Sequence, residues 1–304
     1  MTYDLTIIGG GPAGVAAGVY ASRKKLKTLF ITKNFEGQST VSEGIENWIG
    51  TVKISGAELS KSLEAHLRAY AGNIVDIKEG GLVSKIEKNG EGFSVTLKDE
   101  VFETKTVLIT TGSKRRKLEV PGAEEFDNKG LTSCATCDGP LFADQDVVVV
   151  GGGNAAFESA AQLAAYCKSV TIVNRSDVFR ADEVTVEKVL SKPNVKAIKK
   201  AIPYEVKGDK FVSSFSYKNG EEIVELPVTG IFVEIGLLPS TDFVKDIVEL
   251  DPIGKIIVDP RTQESKTPGI WAAGDCTDGL YHQNNIAAGD AVKALEDIYN
   301  HLHA

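Results

Sequence analysis

Two cysteines that are separated by two residues and followed by an aspartate are the residues of this sequence best suited to redox chemistry. Cys134 and Cys137 flank Ala-Thr, and Asp138 comes directly after them. The CxxC spacing closes a small disulfide ring and lowers the pKa of one thiol. A neighbouring carboxyl group can protonate a departing thiolate as a general acid, and an aspartate at this place can equally cap a helix. We therefore predict a redox dithiol in which Cys134, Cys137 and Asp138 are catalytic.

The same CxxC spacing is also half of a structural zinc site, which normally needs four ligands. The remaining cysteines, Cys167 and Cys276, are isolated, and no second ligand pair follows at the usual spacing. Four cysteines in 304 residues are also too few for a disulfide scaffold. The sequence thus favours the redox dithiol and predicts no metal site.

The elements that would position this dithiol form an internal repeat. The segment Asp4-Leu-Thr-Ile-Ile-Gly-Gly-Gly recurs as Asp146-Val-Val-Val-Val-Gly-Gly-Gly. After each glycine cluster comes an alanine-rich stretch of helix formers and then a short β-branched run, at 28–32 and 170–174. The order strand, glycine turn, helix, strand therefore occurs twice, which predicts two βαβ nucleotide-binding units.

Both units carry the spacing of the dinucleotide fingerprint, with Gly9, Gly11 and Gly14 in the first and Gly151, Gly153 and Ala156 in the second. In this fingerprint the first glycine makes the tight turn, and the second lets the backbone approach a pyrophosphate. The small third residue lets helix and strand pack closely. The pyrophosphate then lies at a helix N-terminus, where free N–H groups and the helix dipole favour an anion. Two such fingerprints in register predict two dinucleotide sites.

A strand-like run that begins at Gly269 leads into Asp275. A carboxylate after a strand end can accept hydrogen bonds from the ribityl or ribose hydroxyls of a cofactor. If Asp275 and the first fingerprint hold one cofactor, that domain is discontinuous: 1–114 and 243–304 form it, and 115–242 is inserted. The predicted fold class is α/β, with two Rossmann-like dinucleotide-binding domains of three-layer ββα architecture, the second inserted in the first.

Two dinucleotides and one dithiol define a path for an electron pair. A nicotinamide donates hydride, a dithiol accepts two electrons with protons, and flavin is the usual relay between them. We therefore expect FAD at the first fingerprint and NADH or NADPH at the second.

Composition and charge exclude several other classes. The chain carries a net charge of −8 without a basic tract, which argues against nucleic acid as a partner. No stretch approaches the roughly 20 apolar residues of a membrane span, and the N-terminal run lacks the features of a signal peptide. We expect a cytoplasmic protein that has no contact with the membrane.

On these motifs the sequence resembles the low-molecular-weight thioredoxin reductase family over nearly its full length. The resemblance rests on Gly9-Gly-Gly-Pro-Ala-Gly14, Glu46-Asn-Trp48, Thr110-Thr-Gly112, Cys134-Ala-Thr-Cys-Asp-Gly139, Gly151-Gly-Gly-Asn-Ala-Ala156 and Ala272-Ala-Gly-Asp275. Other stretches are closer to the flavoprotein of the alkyl hydroperoxide reductase system: Val120-Pro-Gly122, Cys137-Asp-Gly-Pro-Leu-Phe142, Ile231-Phe-Val-Glu-Ile-Gly-Leu-Leu-Pro239 and Gly274-Asp-Cys276. Because the sequence begins directly at the first fingerprint strand, we expect no N-terminal thioredoxin-like module and a separate partner protein.

The resemblance implies a role for each residue of the dithiol segment. Cys137 would face the flavin, Cys134 would attack the disulfide of the partner, and Asp138 would be the acid. It also implies a homodimer, and a rotation of the inserted domain about linkers near 114 and 242. The implied partner is a thioredoxin-like or glutaredoxin-like protein, or a peroxiredoxin system. The residues implied to hold FAD are Gly9, Gly11, Pro12, Ala13, Gly14, Thr32, Gly37, Gln38, Asn47, Gly112, Asp275, Gln283 and Asn284.

The second fingerprint departs from the family, which grips the 2′-phosphate of NADPH with a His-Arg-Arg run and an arginine four residues later. Here the run is Asn174-Arg175-Ser176, followed by Arg180. Arginine is the natural bidentate partner of phosphate, and the acidic residue expected for NADH is absent, so we favour NADPH. The alternatives are surface roles for both arginines and reduction by ferredoxin or another carrier. The pyridine nucleotide is expected to contact Gly151, Gly153, Asn154, Ala155, Asn174, Arg175 and Arg180.

Two further points stay open in the sequence. His282 stands where the family commonly places an arginine before glutamine, and it fits either the pyrimidine end of a flavin or an ordinary loop. A competing class for the whole chain is a non-enzymatic redox or metal-binding module. A colourless protein that carries zinc would support that class, and a yellow protein would count against it.

Overall fold

The computed structural model describes residues 2–42 and 44–304, apart from the side chains of Val41, Thr136 and Cys137. The chain divides into two compact units, of which the first runs to Lys114 and resumes at Leu238, and the second is Arg115–Leu237. The return crossing thus falls a few residues before the predicted boundary at 242/243. Hydrogen bonds tie the intervening residues to the first unit, because Ser240 N–H donates to the Gly112 carbonyl (3.0 Å) and the Thr111 hydroxyl donates to the Ser240 carbonyl (2.7 Å).

The first unit begins with a βαβ segment and continues into an antiparallel meander. In chain order its elements up to the first crossing are β1 Thr2–Ile8, α1 Pro12–Arg23, β2 Thr28–Thr32, a 3-10 helix Gln38–Val41, α2 Gly56–Ala71, β3 Val75–Glu79, β4 Val83–Asn89, β5 Gly92–Leu97, β6 Glu100–Ile109 and β7 Ser113–Arg115.

The second unit repeats the βαβ segment and also carries an antiparallel meander. Its elements are β8 Leu131–Thr132, α3 Ala135–Asp138, a 3-10 helix Gly139–Phe142, β9 Asp146–Val150, α4 Asn154–Leu163, β10 Ser169–Val173, α5 Glu183–Leu190, β11 Val195–Ile198, β12 Ile202–Gly208, β13 Val212–Asn219, β14 Glu222–Pro227, β15 Gly230–Val233 and β16 Leu237–Pro239. The chain then completes the first unit with a 3-10 helix Asp242–Val244, β17 Ile270–Ala272 and α6 Asn284–His303.

Each unit contains one mainly parallel sheet. In the first, the strand order is β3-β2-β1-β6-β5-β4, with β17 also paired to β6. Strands β1, β2, β3, β6 and β17 pair in parallel, and β4, β5 and β6 pair antiparallel. In the second, the parallel order is β11-β10-β9-β15-β8, and β12-β13-β14 form a separate antiparallel sheet. The predicted α/β class with two Rossmann-like units is confirmed.

The alternating side chains of the central strand of the second unit separate two hydrophobic cores. Val147 and Val149 of β9 pack with α4 residues such as Phe157, whereas Val148 and Val150 pack with Phe215 of the antiparallel sheet. Because successive side chains of a strand point to opposite faces, a fully apolar strand must be covered on both sides. The run of four valines therefore specifies the three-layer arrangement.

The first unit follows the same rule with different covering elements. Leu5 and Ile7 of β1 pack with Val15 of α1 and with residues of α6, whereas Ile8 packs with residues of the β4–β5 meander. Trp271 of β17 is fully buried in the helical layer, and its indole N–H donates to Asp297 (3.0 Å). Within the described residues, no helix combines the length and the apolar character that crossing a membrane requires.

Candidate dinucleotide sites and dithiol

A cavity of about 660 Å³ lies at the carboxyl edge of the first sheet. The register places the ends of three strands together there, since Ile8 of β1 pairs with Ile31 of β2 and with Ile109 of β6. Ten of the residues that the resemblance assigned to FAD line this cavity: Gly9, Gly11, Pro12, Ala13, Thr32, Gly37, Gln38, Gly112, Asp275 and Asn284.

The glycine turn before α1 has a different reason for glycine at each position. Gly9 has a φ of +123°, and a Cβ there would lie 2.3 Å from the Thr110 carbonyl oxygen. Gly14 does not line the cavity, and a Cβ on it would lie 1.8 Å from the Gly9 carbonyl oxygen. Gly11 has an extended conformation, and a Cβ there would meet no atom within 4 Å. The turn and the helix packing thus explain two glycines, whereas Gly11 leaves open the approach to the N-terminus of α1 that a pyrophosphate needs.

A smaller cavity of about 240 Å³ is lined by the two remaining predicted residues, Asn47 and Gln283, together with Asp275 and Asn284. Amide side chains tie the loop around Asn47 to the start of α6. The Asn47 side chain donates to Gln283 Oε1 (2.9 Å), and the Ser39 hydroxyl donates to Asn284 Oδ1 (3.0 Å). The positive end of a 20-residue helix therefore lies at the wall of both cavities.

The cavity also contains residues that the sequence did not single out. Asn34, Phe35 and Glu36 follow β2 and line the cavity, as do Ser240 and other residues of the return crossing. The residues after the second strand of a βαβ unit are where a ribose contact is expected, so this signal was available in the sequence. Ser240 had no such signal, because it reaches the cavity from the other end of the insertion.

The glycine turn of the second unit has the same geometry and different surroundings. Gly151 has a φ of +154°, and Gly153 has an extended backbone with open space where a Cβ would be. A Cβ on Gly152 would lie 2.4 Å from Asn174 Oδ1. The Asn174 side chain is buried and donates to the carbonyls of Ser176 (3.1 Å) and Val178 (2.9 Å). Its amide therefore braces the loop after β10.

Charged groups surround that loop. Arg175 and Arg180 are exposed, and neither forms an ion pair within the part of the chain that the structure describes. The Arg180 N–H donates to the Gly152 carbonyl (2.7 Å), which fixes Arg180 beside the glycine turn. Asn154 and Asp182 exchange two hydrogen bonds of 3.0 and 2.8 Å, and Ala155 is exposed in the first turn of α4. The two arginines are thus free to meet an anion.

The dithiol segment of the second unit consists of Cys134 and the single turn α3 that follows it. Cys134 is half-buried and disulfide-bonded, and its N–H donates to Thr132 Oγ1 (3.2 Å). The same Thr132 hydroxyl donates to the carboxylate of Asp138 at the other end of α3. The backbone of Cys137 belongs to α3, and its side chain lies outside the described residues. Thr132, which the sequence did not single out, thus connects the backbone of the predicted nucleophile to the predicted acid.

A half-buried ion pair lies beside the same segment. Arg115 donates to Glu234 (3.2 Å) and to the Ser133 carbonyl, and Glu234 also accepts from the Ser159 hydroxyl (2.8 Å). Burial raises the pKa of the Glu234 carboxyl group above its usual value and outweighs the opposing effects of Arg115 and Ser159. Glu234 follows β15, so this network joins the carboxyl edge of the parallel sheet to the residue before Cys134.

The other two cysteines lie in different surroundings. Cys167 and Cys276 are free and buried, and burial raises the pKa of each thiol to about 11. Such thiols carry little thiolate at neutral pH and are poor nucleophiles. Two dinucleotide-binding units with a CxxC segment in the second are the parts of a two-electron disulfide oxidoreductase.

Comparison with known proteins agrees with this class. A family model described as pyridine nucleotide-disulphide oxidoreductase matches residues 3–291. The solved structure of thioredoxin reductase from Lactococcus lactis is 37% identical, with a TM-score of 0.87 and 99% of both chains covered. The alkyl hydroperoxide reductase F protein of Pseudomonas aeruginosa is 40% identical and NADH dehydrogenase of Bacillus subtilis is 38% identical, each over 304 residues and 99% of this chain. The chain spans 58% of the length of these two curated relatives.

The chain therefore belongs to the pyridine nucleotide-disulphide oxidoreductase family. The resemblance to low-molecular-weight thioredoxin reductases is confirmed, and so is the likeness to the flavoprotein of the alkyl hydroperoxide reductase system. Members of this family use FAD with NADH or NADPH, which confirms the cofactor class predicted from the two fingerprints.

Proposed function

We propose that this chain reduces the disulfide of a partner protein with electrons from NADPH, through FAD in the first unit and the Cys134/Cys137 dithiol in the second. One observation carries the proposal. The two fingerprint turns leave open space at Gly11 and Gly153, each at the N-terminus of its own helix, and the second unit also carries the CxxC segment.

The residues of the first cavity fit FAD. Gly11 and Ala13 would present backbone N–H groups to the pyrophosphate at the start of α1, where the helix dipole favours an anion, and Pro12 between them has no N–H to leave unpaired. Asp275 would accept hydrogen bonds from hydroxyl groups of the cofactor. When bound, FAD relays an electron pair between a nicotinamide and a dithiol.

The chain's own residues would carry out the disulfide exchange. Cys134 as thiolate attacks the partner disulfide, and one partner sulfur leaves as a thiolate that Asp138 protonates. Cys137 as thiolate then attacks Cys134 Sγ, which closes the Cys134–Cys137 disulfide and releases the second partner thiol. The two electrons that reduce this disulfide again come from one NADPH per turnover.

The exposed arginines after β10 support NADPH as the donor. Arg175 and Arg180 lie on the loop that the Asn174 side chain holds by hydrogen bonds to two of its carbonyls. The backbone N–H of Arg180 donates to the Gly152 carbonyl, which keeps Arg180 beside the glycine turn. A 2′-phosphate would give both guanidinium groups a partner. NADH is the second candidate, because a 38% identical relative is an NADH dehydrogenase.

The similar proteins support a protein as the electron acceptor, because a solved structure that is 37% identical over 99% of both chains is a thioredoxin reductase. Leu141, three residues after α3, is 72% exposed and would be available to such a partner. We propose a thioredoxin-like or glutaredoxin-like partner, with a peroxiredoxin system as the alternative that the alkyl hydroperoxide reductase relative suggests.

The first unit has an exposed apolar group that supports a homodimer. Ile49 and Val52 are 82% and 93% exposed, and Leu280 and Tyr281 are 88% and 75% exposed. The two loops are tied together, because the Asn285 side chain donates to the Asn47 carbonyl (2.6 Å). Light scattering of the wild type and of Tyr281→Asp tests this: we expect a dimer and a shift to monomer.

The experiment that tests the proposed function is an anaerobic titration of the purified yellow protein, with flavin absorbance followed during addition of NADPH and then of NADH. We expect about two equivalents of NADPH to bleach the flavin and to expose two new reactive thiols, because the disulfide and the flavin each take two electrons. If dithionite bleaches the flavin and neither nucleotide does, the pyridine nucleotide donor is wrong and ferredoxin becomes the donor to test. A colourless protein would overturn the proposed function.

A further inference from the structure

Three ionisable side chains lie in a row at the smaller cavity of the first unit. Lys255 Nζ is 2.7 Å from Nε2 of His282, and Nδ1 of the same ring is 3.6 Å from Oδ1 of Asp275. His282 lines only the smaller cavity, whereas Asp275 lines both cavities. The row therefore leads from the lysine to the carboxylate assigned to FAD.

The lysine determines which nitrogen of the ring carries the proton. A lysine ammonium group has three donors and no acceptor, so Nε2 of His282 must accept the 2.7 Å hydrogen bond. The ring proton is then on Nδ1, because the partner of one ring nitrogen sets the state of the other. The N–H group of that tautomer faces the Asp275 carboxylate. At 3.6 Å the two atoms lie just beyond hydrogen-bond length, so a small rotation of the carboxylate toward the ring would close a hydrogen bond.

The backbone holds the lysine in place. The Lys255 N–H donates to Asp251 Oδ1 (2.8 Å), and the Asp251 N–H donates to the Lys255 carbonyl (2.8 Å). The next residue, Ile256, donates to the Cys276 carbonyl (2.8 Å), directly after Asp275. The segments that carry the two ends of the row are thus bonded to each other.

Hydrogen bonds on both sides hold the backbone around Asp275. The Thr277 N–H donates to the Gly274 carbonyl (2.9 Å), and the Ile256 N–H donates to the Cys276 carbonyl. The Asp275 side chain is 28% exposed, as is that of His282. With its backbone fixed, what remains to be set is the rotation of the carboxylate, and a directed N–H group beside it can set that rotation.

We propose that His282 is a positioning residue for Asp275, fixed as the Nδ1–H tautomer by Lys255, and that it holds the carboxylate in the orientation that binds a hydroxyl of FAD. The inference rests on the proposed function, because it needs FAD in the first unit. In this role the His282 imidazole acts through Asp275 and does not contact the flavin.

The test measures the dissociation constant of FAD for the full-length apoprotein, from the quenching of FAD fluorescence. We expect His282→Leu to weaken FAD binding about tenfold, which is the size expected for one charge-assisted contact. Lys255→Met should weaken it by about threefold or more. His282→Gln can accept from Lys255 and donate to Asp275, so it should stay within about threefold of the wild type.

The double variant tests whether the lysine acts through the histidine. We expect Lys255→Met combined with His282→Leu to bind FAD as tightly as His282→Leu alone, because Lys255 acts on Asp275 only through the imidazole that His282→Leu removes. Exposed residues of the same types supply controls: His66→Leu and Lys266→Met should leave the dissociation constant unchanged. Thermal melting checks that each variant folds, and Lys255→Met carries the test if His282→Leu does not fold.

The outcomes separate this inference from the proposed function. Additive effects of the two changes would mean that Lys255 and His282 act on FAD binding independently, and they would overturn the inference. Unchanged FAD binding in the Lys255→Met variant would overturn it as well. A wild-type apoprotein that binds no FAD would overturn the proposed function and the inference together.

Discussion

The glycine turn of the first unit opens on a cavity of about 660 Å³, whereas the glycine turn of the second lies beside two exposed arginines. The first cavity is walled by segments from both ends of the sequence, among them the turns after β1, β2, β6 and β17. In the second unit, Asn174 fills the space behind Gly152. The same backbone motif thus serves a deep site in one unit and an open one in the other. This difference suits a resident cofactor in the first and a nucleotide that enters and leaves in each turnover in the second.

The largest expected effect comes from removing the attacking cysteine of the dithiol, a change that should leave both dinucleotide sites working. Cys134→Ser should lower reduction of the partner disulfide by at least about 10³-fold, because the attacking sulfur is lost. The flavin content and the bleaching of flavin by NADPH should persist. Cys167→Ser is the matched control and should keep full turnover, since Cys167 is buried in the core of the second unit.

A matched pair of glycine substitutions tests the comparison directly. Gly11 and Gly153 both have extended backbones with free space at the Cβ position, so valine strains neither turn. Gly11→Val should weaken FAD binding about 100-fold by displacing the pyrophosphate from two N–H groups. Gly153→Val should retain FAD and raise the KM for NADPH. Equal loss of FAD in both variants would contradict the assignment of one cofactor to each unit.

The arginines of the open site are expected to contribute to the binding of NADPH and not to that of NADH. The double change Arg175→Ala and Arg180→Ala should raise the KM for NADPH about 10- to 100-fold, because each guanidinium loses a charge-assisted contact with phosphate. The KM for NADH should change by less than about twofold, since NADH has no 2′-phosphate. Lys196→Ala, an exposed cation on β11, serves as the control. Equal effects on both nucleotides would refute NADPH selectivity at this loop.

The smallest expected effect concerns the two buried cysteines, which should not react with an alkylating reagent near neutral pH. With pKa values of about 11, Cys167 and Cys276 keep their protons at pH 8, where about a thousandth of each is thiolate. Raising the pH toward 11 should increase the thiolate fraction of both, provided that the fold persists. Iodoacetamide at pH 8 should therefore label only the dithiol of the NADPH-reduced protein. Peptide mapping that finds carbamidomethyl groups on either buried cysteine would contradict this.

Much of the architecture could be read from the repeat. The four valines of β9 and the apolar run of β1 predict strands covered on both faces, and the glycine spacing predicts the turns that follow them. The separation of Asp275 from the first fingerprint predicts an inserted domain, although the return crossing falls at Leu237 rather than at 242. Such a boundary depends on hydrogen bonds between distant residues, such as Ser240 with Gly112, and no local sequence pattern predicts these bonds.

The sequence by itself determined the two βαβ units, the dithiol and the residue types around each turn, because strand alternation and glycine geometry are local properties of the chain. Only the tertiary structure decided which side chains meet. It placed Thr132 between Cys134 and Asp138, used the Asn174 amide to brace a loop, and brought Lys255, His282 and Asp275 into one row. The first two contacts join residues a few positions apart, and Lys255 and His282 are 27 positions apart. All of them depend on side-chain geometry that spacing along the chain does not encode.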